Sequence, residues 1–254
     1  MTRISAVIIT MNEELLIEKC LQSLDGVADE IIVVDSYSTD STEAICRKYN
    51  VRFYQHSFTG FMDQKNYSVS LASNKYILSL DADEILSDEL RESLLKEKID
   101  LKFDGYLFNR YNNYCGQWIK HSGWYPDRQL RLFNSGKGSW GAMNVHETFR
   151  MVPGSRIKKM KGDLLHFPCN SHKDLSEKIE NYSDIAANEL FKLNKKVWPM
   201  TPFVHLIWRF IRTYIIQQGY RDGRNGYMIC SKGAYSSYLK YTKLRRLYKS
   251  GRSI

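Results

Sequence analysis

The sequence predicts an α/β fold with a mostly parallel sheet flanked by helices, followed by a basic, helical C-terminal extension. Three observations carry this expectation. Four short runs rich in Ile and Val, at 4–10, 30–35, 51–54 and 76–81, have the apolar character of strands covered on both faces. Segments of helical spacing separate them, and a βαβαβαβ order implies right-handed parallel crossovers. From Lys195 onward thirteen Lys and Arg face the single acid Asp222, a net +12 within an overall +9, so the preceding 194 residues sum to −3.

The elements follow in order. After the first strand, Leu15, Leu16, Lys19, Cys20 and Leu24 predict a helix with Asn12 as its capping residue. Residues 39–49 open with cap-type side chains and predict a second helix, and 63–72 predict a third. Beyond the fourth strand, Ser87 is placed to cap a helix over 88–98. Residues 105–111 and 129–133 alternate as half-buried strands do, and 112–126, crowded with Asn, Gly and aromatics, read as a pocket-shaping loop. From Ser171 the stripe Leu175, Ile179, Tyr182, Ile185, Ala186, Leu190 and Leu193 restores helical spacing. The chain thus divides into 1–100 and 101–170, two halves of one domain, and the extension 171–254.

Composition excludes several classes. With 254 residues, 43% hydrophobic and 26% charged, the chain can bury an ordinary core and is neither a disordered nor a stapled mini-protein sequence. Five Cys, an odd number without CxxC spacing, read as buried thiols of a reducing compartment. No N-terminal stretch reads as a secretory signal, and the uncharged stretch 197–208 is short of a bilayer span. Residues 136–141 satisfy GxGxxG, but they lie far from the first strand and precede no helical pattern, so they are expected to form a loop near an acceptor and not a dinucleotide site. There is no P-loop, HExxH or GxSxG, and the two NxS tripeptides lack a secretory context.

Ligands of open parallel sheets bind beyond the carboxyl ends of the strands. Those ends are polar here: Thr10-Met11-Asn12-Glu13, Asp35-Ser36-Tyr37-Ser38-Thr39-Asp40 and Asp81-Ala82-Asp83-Glu84. Any one of them could be a helix cap, but three acid-bearing ends on one edge exceed what caps require. Asp81 and Asp83, separated by one small residue, can offer oxygens to a divalent cation and to a sugar or ribose hydroxyl. Hard oxygen donors suit Mg²⁺ or Mn²⁺ shared with phosphate oxygens.

These motifs, with Gln64-Lys65-Asn66 between them, resemble the family 2 glycosyltransferases, whose GT-A fold has a Rossmann-like sheet. Arg131-Leu132-Phe133, Val145-His146-Glu147 and Asp222-Gly223-Arg224-Asn225-Gly226-Tyr227 resemble the bacterial branch that adds glucose in a β-1,4 linkage to the lipopolysaccharide inner core. The resemblance implies a UDP-sugar donor, UDP-glucose first among them, bound by residues 1–100, and a glycolipid or saccharide acceptor bound by 101–170. It places Thr10, Asn12 and Glu13 in the nucleotide pocket, Asp35 at uracil or ribose, Asp81 on the ribose or sugar side, and Asp83 on a Mg²⁺ or Mn²⁺ ion. Lys65 stands where the family usually has Arg, which keeps the charge for the diphosphate but loses the bidentate fork.

The reaction this implies requires a base for the acceptor hydroxyl, and a carboxylate opposite the leaving group gives single displacement with inversion. The family's usual Glu-Asp pair is missing from the expected region. Glu147 is the substitute candidate, with His146 as base or orienting group and Asp127 as a third choice; Glu147 paired with Arg150 as a surface acid is the alternative. His166 is either a late metal ligand or a hydrogen-bonded core histidine. In 195–254 aromatics interleave with cations, which suits an anionic membrane surface or nucleic acid. The resemblance favours the membrane, hence a cytoplasmic protein peripheral on the inner face of the cytoplasmic membrane. A nucleotidyltransferase would need a Gly-rich basic loop after the first strand, and Thr10-Met11-Asn12-Glu13-Glu14 is not one; a nucleic-acid-binding module would leave Asp81 and Asp83 without a purpose.

Overall fold

A computed structural model describes residues 1–143, 146–169 and 172–250; nothing is said of the side chains of 142, 143, 146, 147, 169, 172–178 and 181. The first half alternates strands and helices: β1 (Ile4–Thr10), α1 (Ile17–Ser23), β2 (Glu30–Asp35), α2 (Thr42–Cys46), β3 (Arg52–Gln55), α3 (Phe61–Ser70) and β4 (Tyr76–Asp81). Then come β5 (Glu84–Leu86), α4 (Asp88–Glu97), β6 (Gly105–Tyr114), β7 (Gln117–Trp118), β8 (Asp127–Asn134), β9 (Gly138–Met143), β10 (His146–Met151) and β11 (Ile157–Cys169). Helical segments follow: α5 (His172–Lys192), α6 (Thr201–Phe210) with a π-helical continuation over Ile211–Ile216, a 3₁₀ turn over Gly219–Asp222, and α7 (Gly223–Ser250).

The chain forms two compact units. The first comprises Met1–Arg110, Asp127–Met143 and Glu147–His166. Its sheet is mixed: β3, β2, β1 and β4 are parallel neighbours, and antiparallel pairing begins where β8 joins β4 and continues between β8 and β6. β1 is buried along its whole length because both faces are covered. Ile4, Ala6 and Ile8 pack with Ile17, Leu21 and Leu24. Val7 packs on the other side with Ile32, Val34, Ile77, Phe133, Trp140 and Phe149.

Local chemistry moves several boundaries from their expected places. Asn12 does not cap α1; Leu16 holds that position without a side-chain bond, because Asn12 is bonded across to Thr39. The second helix shrinks from 39–49 to five residues, since Asp40 takes the backbone and hydroxyl hydrogens of Thr42 and so favours a turn. Ser87 does cap α4, accepting from Leu90 N–H at 3.3 Å. Residues 136–141, expected as a loop, form the end of a 3₁₀ turn and most of β9. Gly138 is required there by packing, as a Cβ would come within 2.2 Å of the Arg150 carbonyl oxygen.

The second unit contains 111–126 and the helices from Phe167 onward. Helices α5 and α6 both pack on α7, and Ala187, Leu244 and Leu247 form a small core. Asp222, the lone acid of the basic segment, is buried as an anchor for 111–126. It accepts from His121 N–H at 2.9 Å and pairs with His121 Nδ1 at 2.8 Å. Within 112–126, expected as a loop, the short strand β7 pairs with the end of β6. Among the described residues no helix is long and apolar enough to cross a membrane.

Candidate functional site

Parallel pairing brings the polar strand ends together. Thr10 lies opposite Asp35 across the β1–β2 ladder, and Ile9 lies opposite Asp81 across β1–β4. The loops after β1 and β2 interlock. Asn12 N–H donates to Ser38 Oγ and Thr39 N–H donates to Asn12 Oδ1, both at 2.8 Å, while Glu13 N–H donates to Thr42 Oγ1 at 2.8 Å. Asp35 is fully buried and accepts from the backbone N–H and the hydroxyl of Ser38. Asn12 and Tyr37 adopt left-handed backbone, φ 54° and 60°, a conformation that costs a non-glycine residue energy and tends to persist where a loop is over-determined. Thr10 Oγ1 is buried without a hydrogen-bond partner, so this edge retains an unspent polar group.

Next to this edge runs a line of alternating charges. Helix α3 buries Lys65, and its Nζ lies 2.9 Å from Asp81 Oδ1 and 4.7 Å from the centre of the Trp140 ring. Arg131, in the middle of β8, is equally buried. Its Nη2 reaches Asp81 Oδ2 at 3.0 Å and Glu84 Oε1 at 2.5 Å. Glu84 has no exposure and also accepts from Asp81 N–H at 3.2 Å. Arg110 continues the line, 3.4 Å from Glu84 and 2.7 Å from Asp127. Burial works against ionisation of Asp81, but the Lys65 and Arg131 charges outweigh it and hold the carboxyl well below the usual range. Burial likewise disfavours the Arg131 cation, yet Glu84 and Asp81 more than compensate and raise its pKa further.

Asp83 has a different neighbour. Antiparallel pairing of β5 with β11 sets His166 opposite Glu84, and His166 Nε2 lies 3.4 Å from Asp83 Oδ2. A carboxylate oxygen beside an imidazole nitrogen suits a Mg²⁺ or Mn²⁺ ion that takes its remaining ligands from water and phosphate. Asp81, already engaged by two cations, fits that role poorly. Among the described residues no cluster of three potential metal ligands occurs, so an ion here would depend on the substrate for part of its shell.

The site residues expected from sequence are thus distributed. Thr10, Asn12, Glu13 and Asp35 share one edge, Lys65 and Asp81 form an ion pair, and Asp83 and His166 are adjacent. Glu147 and His146 begin β10, and their side chains lie outside the described residues. Asp127 is held by Arg110 through Nε at 2.8 Å and Nη2 at 2.7 Å, and Gln129 donates to its other oxygen at 2.7 Å. Arg131, Arg110 and Glu84 were given no role on sequence grounds. The available signal was a charge inside the apolar run Leu130-Arg131-Leu132-Phe133, since a fully covered strand carries a charge only when a buried partner meets it.

The family model for glycosyl transferase family 2 matches residues 5–173. The lipopolysaccharide core biosynthesis glycosyltransferase LpsC of Rhizobium meliloti is 31% identical over 254 residues, covering 95% of this chain and 91% of that one. An uncharacterized glycosyltransferase of Rickettsia conorii is 30% identical, covering 96% of this chain and 90% of its own length. The crystal structure of Staphylococcus aureus TarS 1–349 in complex with UDP-GlcNAc is 14% identical with a TM-score of 0.50, covering 99% of this chain and 93% of that chain, which speaks to the fold. The polar edge of a Rossmann-like sheet, the family model and full-length relatives agree: the chain belongs to glycosyltransferase family 2 and has the GT-A fold.

Proposed function

We propose that this chain moves a hexose, glucose first, from a UDP-sugar to a heptose of a lipopolysaccharide core or a similar saccharide, with inversion. The observation that carries the reading is the division of labour within Asp81-Ala82-Asp83: Asp81 is locked between Lys65 and Arg131, and Asp83 faces His166. The LpsC relationship supports the acceptor class. Thr10, Asn12, Glu13 and Asp35 form the nucleoside side, where the unpartnered Thr10 hydroxyl is available to a ligand.

In the reaction, the acceptor oxygen forms a bond to the anomeric carbon as the bond from that carbon to the β-phosphate oxygen breaks. The electron pair leaves with UDP, and the acceptor proton passes to Glu147. Charge builds on the departing diphosphate, which fixed cations stabilise without reorganisation. Lys65 is the cation for this task, and Asp81 and the Trp140 ring fix its position beforehand. Asp83 and His166 would hold a Mg²⁺ or Mn²⁺ ion, which when bound neutralises the leaving group. The sequence halves 1–100 and 101–170 serve donor and acceptor on this reading, and 171–254 keeps the enzyme peripheral on an anionic inner-membrane face in the cytoplasm.

The test is UDP release by the purified protein from a panel of UDP-hexoses, with and without Mn²⁺ or Mg²⁺, with lipopolysaccharide core as acceptor. Metal-dependent, acceptor-stimulated release from UDP-glucose is expected. Release from no nucleotide sugar under any condition would overturn the reading.

A further inference from the structure

Helix α6 and its π-helical continuation leave one face bare. Val204, Ile207, Trp208, Ile215 and Ile216 are each 54–59% exposed. At 100° per residue, positions 204, 207, 208 and 211 fall within about 100° of the helix circumference, the width of an apolar stripe that normally meets a core. The opposite side is already committed to α7: His205 stacks on Tyr241 with ring centres 4.0 Å apart, and Phe210 meets Tyr227 at 6.1 Å. The stripe is therefore a second face with no partner among the described residues. Its area, on the order of 400–500 Å², is at the upper end of what a soluble monomer exposes without use.

The charges beside the stripe identify its occupant. Arg212 is exposed at the margin of the stripe, and Lys195 and Lys196 are exposed just ahead of it, next to the 77% exposed Trp198. The only acid of 195–254, Asp222, is buried and turned to His121, so it offsets none of these cations at the surface. A second copy seated on this face would bring two segments of net +12 together. An anionic bilayer meets both demands, accepting apolar side chains at the acyl boundary and cations at the headgroups. We infer that residues 195–216 are a monotopic membrane-seating element, with the Val204–Ile207–Trp208–Ile215 stripe inserted into an anionic leaflet and Lys195, Lys196 and Arg212 at headgroup level.

This inference rests on the membrane part of the proposed function and adds that the contact is apolar insertion as well as charge. The full chain is mixed with vesicles of phosphatidylcholine alone or with 30% phosphatidylglycerol, at 0.1 and 0.5 M NaCl. Binding to the anionic vesicles that partly survives 0.5 M salt is expected, with brominated lipid quenching Trp208 in a Trp198→Phe background. The double variant Ile207→Ser, Trp208→Ser changes exposed side chains only, and is expected to keep its Tm and its UDP release with a lipid-free core oligosaccharide while vesicle affinity falls at least tenfold. Full loss of binding at 0.5 M salt together with unaltered binding by the double variant would reduce the contact to charge adsorption and overturn insertion, while leaving the transfer reading intact. A concentration-dependent dimer of the wild type that the double variant abolishes would assign the stripe to a second copy and equally overturn it.

Discussion

Replacing Arg131 with Met tests the line of charges directly. Met roughly fills the volume of the Arg stem, so the loss is mainly electrostatic. The wild-type guanidinium sits 3.0 Å from the Asp81 carboxylate and 2.5 Å from Glu84, the latter with no exposure. At an effective dielectric near 20, those contacts amount to about 12 kcal/mol of gross attraction, most of which offsets the desolvation of the three ions. Removing the cation alone leaves Glu84 with Arg110 at 3.4 Å and the Asp81 N–H, and breaking a buried pair in this way costs about 3–5 kcal/mol. For a chain of this size that corresponds to a Tm lower by about 10 °C. Differential scanning calorimetry measures it, and the double variant Arg131→Met, Glu84→Gln supplies the internal check, because neutralising the stranded acid should recover at least half of the loss. A single variant within 2 °C of wild type, or a double variant no better than the single, would show that the Arg131 contacts do not bear on stability.

Three further outcomes are expected. Asp83→Ala should retain its Tm and lose metal-stimulated UDP release by about a hundredfold or more, and full activity would remove the ion from the Asp83–His166 position. Glu147→Gln should bind UDP-sugar normally in calorimetry while transfer falls by about 10²–10⁴, whereas normal transfer would return the base assignment to His146 or Asp127. Burial opposes ionisation of Glu30, but hydrogen bonds from Ser5, Ser73 and Arg52 prevail and lower its carboxyl from 4.5 to about 2. A carboxyl lowered on folding stabilises the protein above its unfolded pKa, and that share is lost as pH falls from about 4.5 through 2. Glu30→Gln should accordingly cost about 2–3 kcal/mol in urea denaturation at pH 7 and about a quarter of that at pH 2.5, and a pH-independent difference would refute this account.

The parallel half of the sheet was legible because burial on both faces writes itself into sequence as an unbroken apolar run. β1, β2 and β4 span the runs read at 4–10, 30–35 and 76–81, and β3 is displaced by one residue. Helices surrounded by Ser, Thr, Asp and Asn were less legible, since those side chains can serve a cap or a cross-loop bond equally well. Asn12 and Asp40 chose the cross-loop and turn bonds that hold the ends of β1 and β2 together. β9 and β10 carry no such run; what joins them is the close approach that Gly138 permits and the edge contact of Trp140 with Phe149 at 5.8 Å. Contacts of that kind depend on the tertiary arrangement and have no local signature.

The acidic motif shows the same limit at the level of function. Two aspartates flanking one small residue are chemically alike in sequence, and hard-cation chemistry describes both equally. Their different surroundings come from residues far along the chain. Lys65 and Arg131 lie 16 and 50 positions from Asp81, brought in by α3 and by the antiparallel return of β8, and the β11–β5 register supplies His166 to Asp83. An ion pair fixed in advance at Asp81 keeps Lys65 desolvated and in place, so the Lys that replaces the family's Arg loses less orientation than a free ammonium on a four-carbon stem would. On this account Lys65→Arg is no restoration: the larger fork must enter a space closed by Trp140 and Asp81, and it should weaken donor turnover unless Trp140 is reduced in the same variant. An Lys65→Arg enzyme with undiminished turnover would show that the slot is not shaped for lysine.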